Sequence, residues 1–476
     1  MNMTRLFLTF SLLLGSSIAA ADVQRSTLDD QKQLAITIYN QDLALVKDRR
    51  AVRMNTGPVS LTFRDVSTNM RPETALLRSV TAPGSVRVIE QNFDQNVLTP
   101  QKLLERHVGK TVGIIRTNPA TGAETREQAE VLSAQDGVVL KIGDRIETSA
   151  PGRIVFDSIP VGLSERPTLN LSLDNRGAQQ QELELSYLTG GLAWKADYVA
   201  ELNAADDRLD ISGWFTITNA SGTAYRNAAL QLVAGDVNRA RQGMTMAAMV
   251  RTDAKFASGS ESVSQESFAD YHLYTVGRPV TISENQTKQI ALLSASDVPV
   301  RREWVVRGSD YFYRSAQGTT VQKMKIGMFI ELNNSQDARL GMPLPKGILR
   351  IYKKDSRGNV QFVGEDNINH TPVNEKLRLK LGDAFDVTAQ RQQTDFFKVP
   401  GNDKHENAFE STHEIVLKNA KKEAVTVKVQ ETVPGDWRIL SESHPHKKES
   451  GNSAVWQIRV PAEGQATLTY RALVRY

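Results

Sequence analysis

The chain has 476 residues, 40% of them hydrophobic, and 58 lysines and arginines stand against 54 aspartates and glutamates. It has no cysteine, which excludes disulfides, thiol nucleophiles, thiolate metal sites and the lipid-modified cysteine of a lipoprotein leader. The near balance of charge is not a nucleic-acid-binding profile, and Arg49-Arg50 with Arg53, the nearest thing to a basic cluster, reads as a solvated strand face.

Arg5, the apolar run Leu6 to Leu14 and the small-residue stretch Gly15 to Ala21 have the three regions of a secretory signal peptide over residues 1–21. The run is far shorter than the ~20 residues a membrane-crossing helix needs, and Ala19 and Ala21 supply a cleavage pattern. The expectation is export, with a mature chain from Asp22 that carries no transmembrane helix. Its location is then periplasmic, with a secreted or peripherally outer-membrane-associated protein as the alternative. Length permits two to four domains held by packing alone.

Short alternating runs bounded by Gly, Pro, Asn or Asp recur along the chain, which predicts an all-β protein of tandem, immunoglobulin-like β-sandwiches with a small inserted SH3-like barrel. Leu34, Ile36 and Ile38, then Leu43 and Leu45, then Val59, Leu61 and Phe63 open an N-terminal sandwich over 22–98 plus 150–168. Thr99 as N-cap and Pro100 at the first helical position predict one short helix with Leu103 and Leu104 turned inward. Four or five short strands follow, with turns at Pro119 to Gly122 and Asp136-Gly137, and residues 99–149 are assigned to the barrel. A central sandwich is expected over 169–324, interrupted by a Met- and Ser-rich mobile insert at 238–267. A C-terminal immunoglobulin-like sandwich is expected over 325–476.

Tyr187, Gly190, Gly191, Trp194 and Tyr198 are followed by Trp214, Asn219, Gly222, Tyr225 and the strand ending at Asp236. This order resembles the mucoidy-inhibitor-like family of exported bacterial proteins, a domain-of-unknown-function type (4139), from about Leu169 to the C-terminus. The resemblance implies a fold and an envelope location, and brings no catalytic residue with it. Relatives often carry a long helical hairpin where this chain has its small barrel. From the residues alone, Gly190-Gly191 permits a sharp turn and Trp194 and Tyr198 share one strand face. They read as core anchors, with ligand stacking as the alternative, and Trp214, Trp437 and Trp456 are read in the same way.

Gly109-Lys110-Thr111 mimics a P-loop ending, but Leu104 occupies the position of its first glycine and a helix, not a strand, precedes it. His444 and His446, with Met244, Met246 and Met249, are a weak copper-like set far apart in the chain. Asp403, His405, Glu406 and Glu410 form an acidic, imidazole-bearing stretch that reads as a solvated connection. Leu468, Tyr470, Ala472, Val474 and Tyr476 alternate as the closing strand of a sandwich, the alternative being an outer-membrane barrel strand. No catalytic, cofactor-binding or metal residue is assigned, and no cofactor. The reading is an exported, non-catalytic binding or scaffold module whose partner is an envelope protein or polysaccharide, without nucleic acid. The alternative is a hydrolase acting on envelope glycan or peptide.

Overall fold

The computed structural model describes residues 23–40, 42–94, 98–135, 137–160, 163, 165–235, 263–268, 271–318, 320–402 and 405–476. The signal region 1–21 and residues 238–262 of the expected insert lie outside the described residues. The described chain is all-β, as the alternation predicts. Gln31–Tyr39, for example, buries Leu34, Ile36 and Ile38 on one face because successive strand side chains point to opposite sides. The one α-helix among the described residues is Pro100–Glu105, and the Thr99 hydroxyl accepts from the Lys102 amide at 3.2 Å. Among the described residues no helix is long and apolar enough to cross a membrane.

Four sheets build the body. A four-stranded sheet runs Val23–Ser26, Gly57–Arg64, Thr168–Asn175, Val86–Asp94, in that spatial order. It shares one core with an eight-stranded sheet that includes Tyr225–Ala234, Gln31–Tyr39, Leu43–Arg53 and Gln180–Thr189. The same core continues into a ten-stranded sheet, where Val360–Ile368, Gly347–Lys354, Leu192–Leu202, Arg208–Asn219 and Gln286–Arg307 lie side by side. The far end of that sheet packs on a five-stranded sheet formed by Gln322–Met324, Val387–Asn402, His405–Asn419, Gly464–Arg475 and Asp436–Glu442, around a second core. The predicted closing strand, Gly464–Arg475, thus sits inside an open sheet between two neighbours, with Leu468, Tyr470, Ala472 and Val474 buried.

The edges drawn at residues 168 and 324 cut through these sheets. Thr168–Asn175 pairs with Gly57–Arg64, and Gly347–Lys354 runs parallel to Leu192–Leu202, placing residues on both sides of each edge in one sheet. Alternation reports which face a residue occupies and carries no information on the partner strand. Gln286–Arg307 joins the two cores: its first half pairs with Arg208–Asn219, and after Pro299 it pairs with Ile326–Asn333 and Val425–Thr432. The end of the expected insert is also ordered, as Val263–Phe268 pairs antiparallel with Tyr271–Val276. The small inserted unit is an antiparallel sheet from Thr111–Thr117 to Arg153–Val155, with a core of its own around Val112, Ile114, Val131 and Leu140. Its outermost strands, Arg145–Glu147 and Arg153–Val155, are not paired with each other, so this small unit is an open five-stranded sheet and not a closed barrel.

Three sheet-crossing turns repeat one device. Asn175, Asn219 and Asn419 each end a strand in one sheet, and the chain then enters the opposing sheet. The Asn219 amide donates to the Thr223 and Ser283 carbonyls at 2.8 and 3.0 Å and its oxygen accepts from the Ser221 amide at 3.1 Å. Asn419 does the same with Glu423, Pro461 and Lys421. The buried side chain thereby satisfies turn backbone groups that have no ladder partner.

Candidate functional site

Most of the residues singled out in the sequence are structural. Tyr187, Asn219 and Tyr225 converge with Ser67 and Ser221 on one corner: the Ser67 hydroxyl reaches Thr189 Oγ1 at 2.6 Å and the Ser221 carbonyl at 2.9 Å, and Tyr225 donates to Ser221 Oγ at 3.0 Å. Gly191 has φ +77° there, and a Cβ would stand 2.6 Å from the Ala220 carbonyl oxygen, so both its dihedral and its lack of side chain are required. The solvated basic face is corrected as well. Arg50 is fully buried, ion-paired with Asp48 at 2.7 Å and stacked over Phe63 at 3.8 Å, while Arg49 pairs with Glu184. Asp403 lies outside the described residues and Glu410 pairs with Arg471.

His446 and Trp456 both donate to Glu442 Oε2, each at 2.9 Å, which fixes the His444-Pro445-His446 turn against the sandwich. Among the described residues no three His, Cys, Asp or Glu side chains stand close enough to hold a metal, and Met244, Met246 and Met249 lie outside them. An open depression at the Asn419 corner brings no second carboxylate to Glu463.

A second ionic cluster, which the sequence did not reveal, fills the C-terminal core. Arg391 donates to Glu431 at 2.5 Å, to Tyr470 at 3.2 Å and to His413 Nδ1 at 3.0 Å. Tyr313 donates to Glu431 at 3.0 Å, and His413 Nε2 lies 2.9 Å from the Ser411 hydroxyl. Arg391, Glu431, His413, Tyr313 and Tyr470 are all at most 2% exposed, so no substrate reaches them. Burial, reinforced by the Arg391 charge, holds the His413 pKa well below its ordinary value. The imidazole is neutral, accepting from Arg391 and donating to Ser411.

The tryptophans separate sharply. Trp194 is 5% exposed and packs edge-on against Phe215, Trp456 is fully buried on Tyr470, Trp437 donates to the Gly451 carbonyl, and Trp304 lies beneath Arg302. Trp214 is 37% exposed and, among the described residues, has no ring or hydrogen-bond partner. The core reading therefore fails for Trp214. Its strand buries Leu209, Ile211, Phe215 and Ile217 on the odd positions, and Trp214, on an even one, faces outward. Asp197 stands opposite it on one neighbouring strand and Ala291 on the other.

Beside Trp214 a polar row crosses five adjacent strands. Gln289 donates to Thr216 at 3.2 Å, Thr216 to Asp197 Oδ2 at 2.7 Å, Arg350 to Asp197 Oδ1 at 3.1 Å, and Arg350 Nε also pairs with Glu365 at 3.1 Å. Lys195 adds a cation 3.5 Å from Asp197. Burial alone raises the Asp197 carboxyl, but the hydrogen bonds from Thr216 and Arg350 and the two nearby cations outweigh it, and its pKa is lowered. This group stays ionised and acts as an acceptor. Val199 (41% exposed), Tyr352 and Phe362 continue the face, the last two edge-on at 5.6 Å.

Sheets stacked around two cores, with a polar row and an exposed indole on one outer face, define a multi-sandwich all-β protein. Residues 183–476 match the family described as domain of unknown function DUF4139, and because that is more than half of the chain, the protein belongs to this family. The resemblance carried by Tyr187, Gly190, Gly191, Asn219 and Tyr225 holds at that level. No curated protein matches the chain.

Proposed function

We propose that the protein is an exported, non-catalytic binding or scaffold module of the cell envelope and that it engages its partner through the outer face around Trp214. The single observation that carries this reading is Trp214 itself, a large side chain left without ring, cation or hydrogen-bond partner among the described residues beside an ordered row of donors and acceptors. Exposed tryptophan supplies contact area at low conformational cost, and such residues dominate binding energy when a partner covers them. Asp197 also suits binding better than acid catalysis, since a general acid needs a raised pKa and this one is lowered. Export rests on the leader-like residues 1–21.

The test is co-sedimentation of the protein, expressed from Asp22, with envelope fragments of its host, compared with Trp214→Ala. Saturable sedimentation that drops at least tenfold in the variant is expected. Equal sedimentation of the two proteins, or none, overturns the assignment, and release of soluble glycan or peptide fragments moves it to the hydrolase alternative.

A further inference from the structure

Resting on the binding reading above, we infer that the ligand of the Trp214 face is a neutral polysaccharide chain, laid across the strands along the row from Gln289 to Glu365. The charges along the row are already matched. Asp197 has Arg350 and Lys195, Arg350 also has Glu365, and Glu201 has Lys354 at 2.6 Å. A phosphate or uronate approaching Arg350 comes against the Asp197 and Glu365 carboxylates, which already neutralise it and repel a second anion, whereas a sugar hydroxyl adds to the row without that repulsion. Arg350 keeps N–H donors and Glu365 keeps lone pairs beyond the bonds they already make, and the Gln289 amide at the other end of the row both donates and accepts, while Asp197 and Thr216, each 7% exposed, hold these groups in place. Hydroxyl-rich, uncharged surfaces match that mixture.

The indole supplies the other half of pyranose recognition. Its π face is electron-rich and attracts the weakly positive C–H face of a sugar ring, while the free Nε1–H is a lone donor at its edge. Ser212, two residues before Trp214 on its own strand, and Ala291, opposite it on one neighbouring strand, are small and leave those two flanks low. A protein-binding hot spot is built differently, with its aromatic anchor inside a ring of apolar, water-excluding neighbours. Here the paired and same-strand neighbours are Asp197, Thr216, Ser212 and Ala291, with Val199 the one large apolar side chain diagonal to the indole. The five strands of the row span about 19 Å at ~4.8 Å per strand, which accommodates several consecutive sugar units.

The experiment titrates the protein, expressed from Asp22, with cellohexaose, maltohexaose and a polygalacturonate oligomer of similar length, following heat and tryptophan fluorescence, and repeats each with Trp214→Ala and Thr216→Val. The expected result is binding of at least one neutral hexose oligomer, quenching of the exposed indole, at least a tenfold loss in Trp214→Ala and a smaller loss in Thr216→Val. Unchanged thermal unfolding in both variants shows that the fold is intact. Tighter binding of polygalacturonate, weakened by salt, overturns the neutral-chain inference. Trp214-dependent envelope sedimentation that none of the neutral oligomers competes also overturns it and leaves the binding reading standing. Absence of envelope sedimentation defeats the binding reading itself.

Discussion

Replacing Glu431 by Gln keeps the shape of a fully buried side chain and removes its charge. In the native core Glu431 accepts from Arg391 and from Tyr313, and among the described residues the other hydrogen-bond partners of Arg391 are Tyr470 and His413, neither of them a carboxylate. The variant therefore leaves a guanidinium that is 2% exposed without a counter-ion. Breaking a buried pair by removing one partner costs roughly 3–5 kcal/mol, much of it the penalty of the stranded charge. The introduced amide retains an acceptor for Arg391 or Tyr313, so the lower end, about 3 kcal/mol, is expected. Urea unfolding followed by tryptophan emission reads this out, because Trp437 and Trp456 belong to the same core. Combining Glu431→Gln with Arg391→Met removes both charges, and the double variant is expected to lose less than the sum of the singles. A loss below about 1 kcal/mol in Glu431→Gln, or full additivity of the pair, refutes the argument that Arg391 depends on Glu431.

His413 gives a pH signature. Its folded pKa lies below the unfolded value of 6.5, held down by burial and by Arg391, with Tyr313, Tyr470 and Glu431 around it. Below 6.5 the unfolded chain binds the proton that the folded chain refuses, so stability falls as pH drops through that window, by up to about 1.4 kcal/mol per pH unit. His413→Gln is expected to flatten this slope between pH 6.5 and 5 relative to the native chain, and parallel curves of unfolding free energy against pH defeat the assignment. At the sheet-crossing corners, Asn219→Ala strands the Thr223 and Ser283 carbonyls and the Ser221 amide. It is expected to cost about 2 kcal/mol or more in thermal or urea unfolding, and a change under ~0.5 kcal/mol shows that the turn finds other partners.

Alternation made the fold class legible because it records burial one strand at a time: Leu34, Ile36 and Ile38 are buried, and so are Leu468, Tyr470, Ala472 and Val474. The Thr99-Pro100 helix start was legible for a similar local reason. Strand partnership is not local. Asp197 and Arg350 meet because Leu192–Leu202 runs parallel to a strand about 150 residues later, and no spacing rule in the chain announces that neighbour. Pro299 reads as a strand breaker, yet it lies within the strand Gln286–Arg307, just before the register passes from Arg208–Asn219 to Ile326–Asn333. Two signals were nevertheless present. Leu171-x-Leu173-x-Asn175, Phe215-x-Ile217-x-Asn219 and Ile415-x-Leu417-x-Asn419 are one pattern read three times, and aligning the chain with itself exposes the repeated sheet-crossing corner. Parity separates Trp214 from the core in the same way. With Ile211, Phe215 and Ile217 committed to the inner face, position 214 has to face outward, and an indole kept there with no ring, cation or hydrogen-bond partner among the described residues points to a surface used for contact.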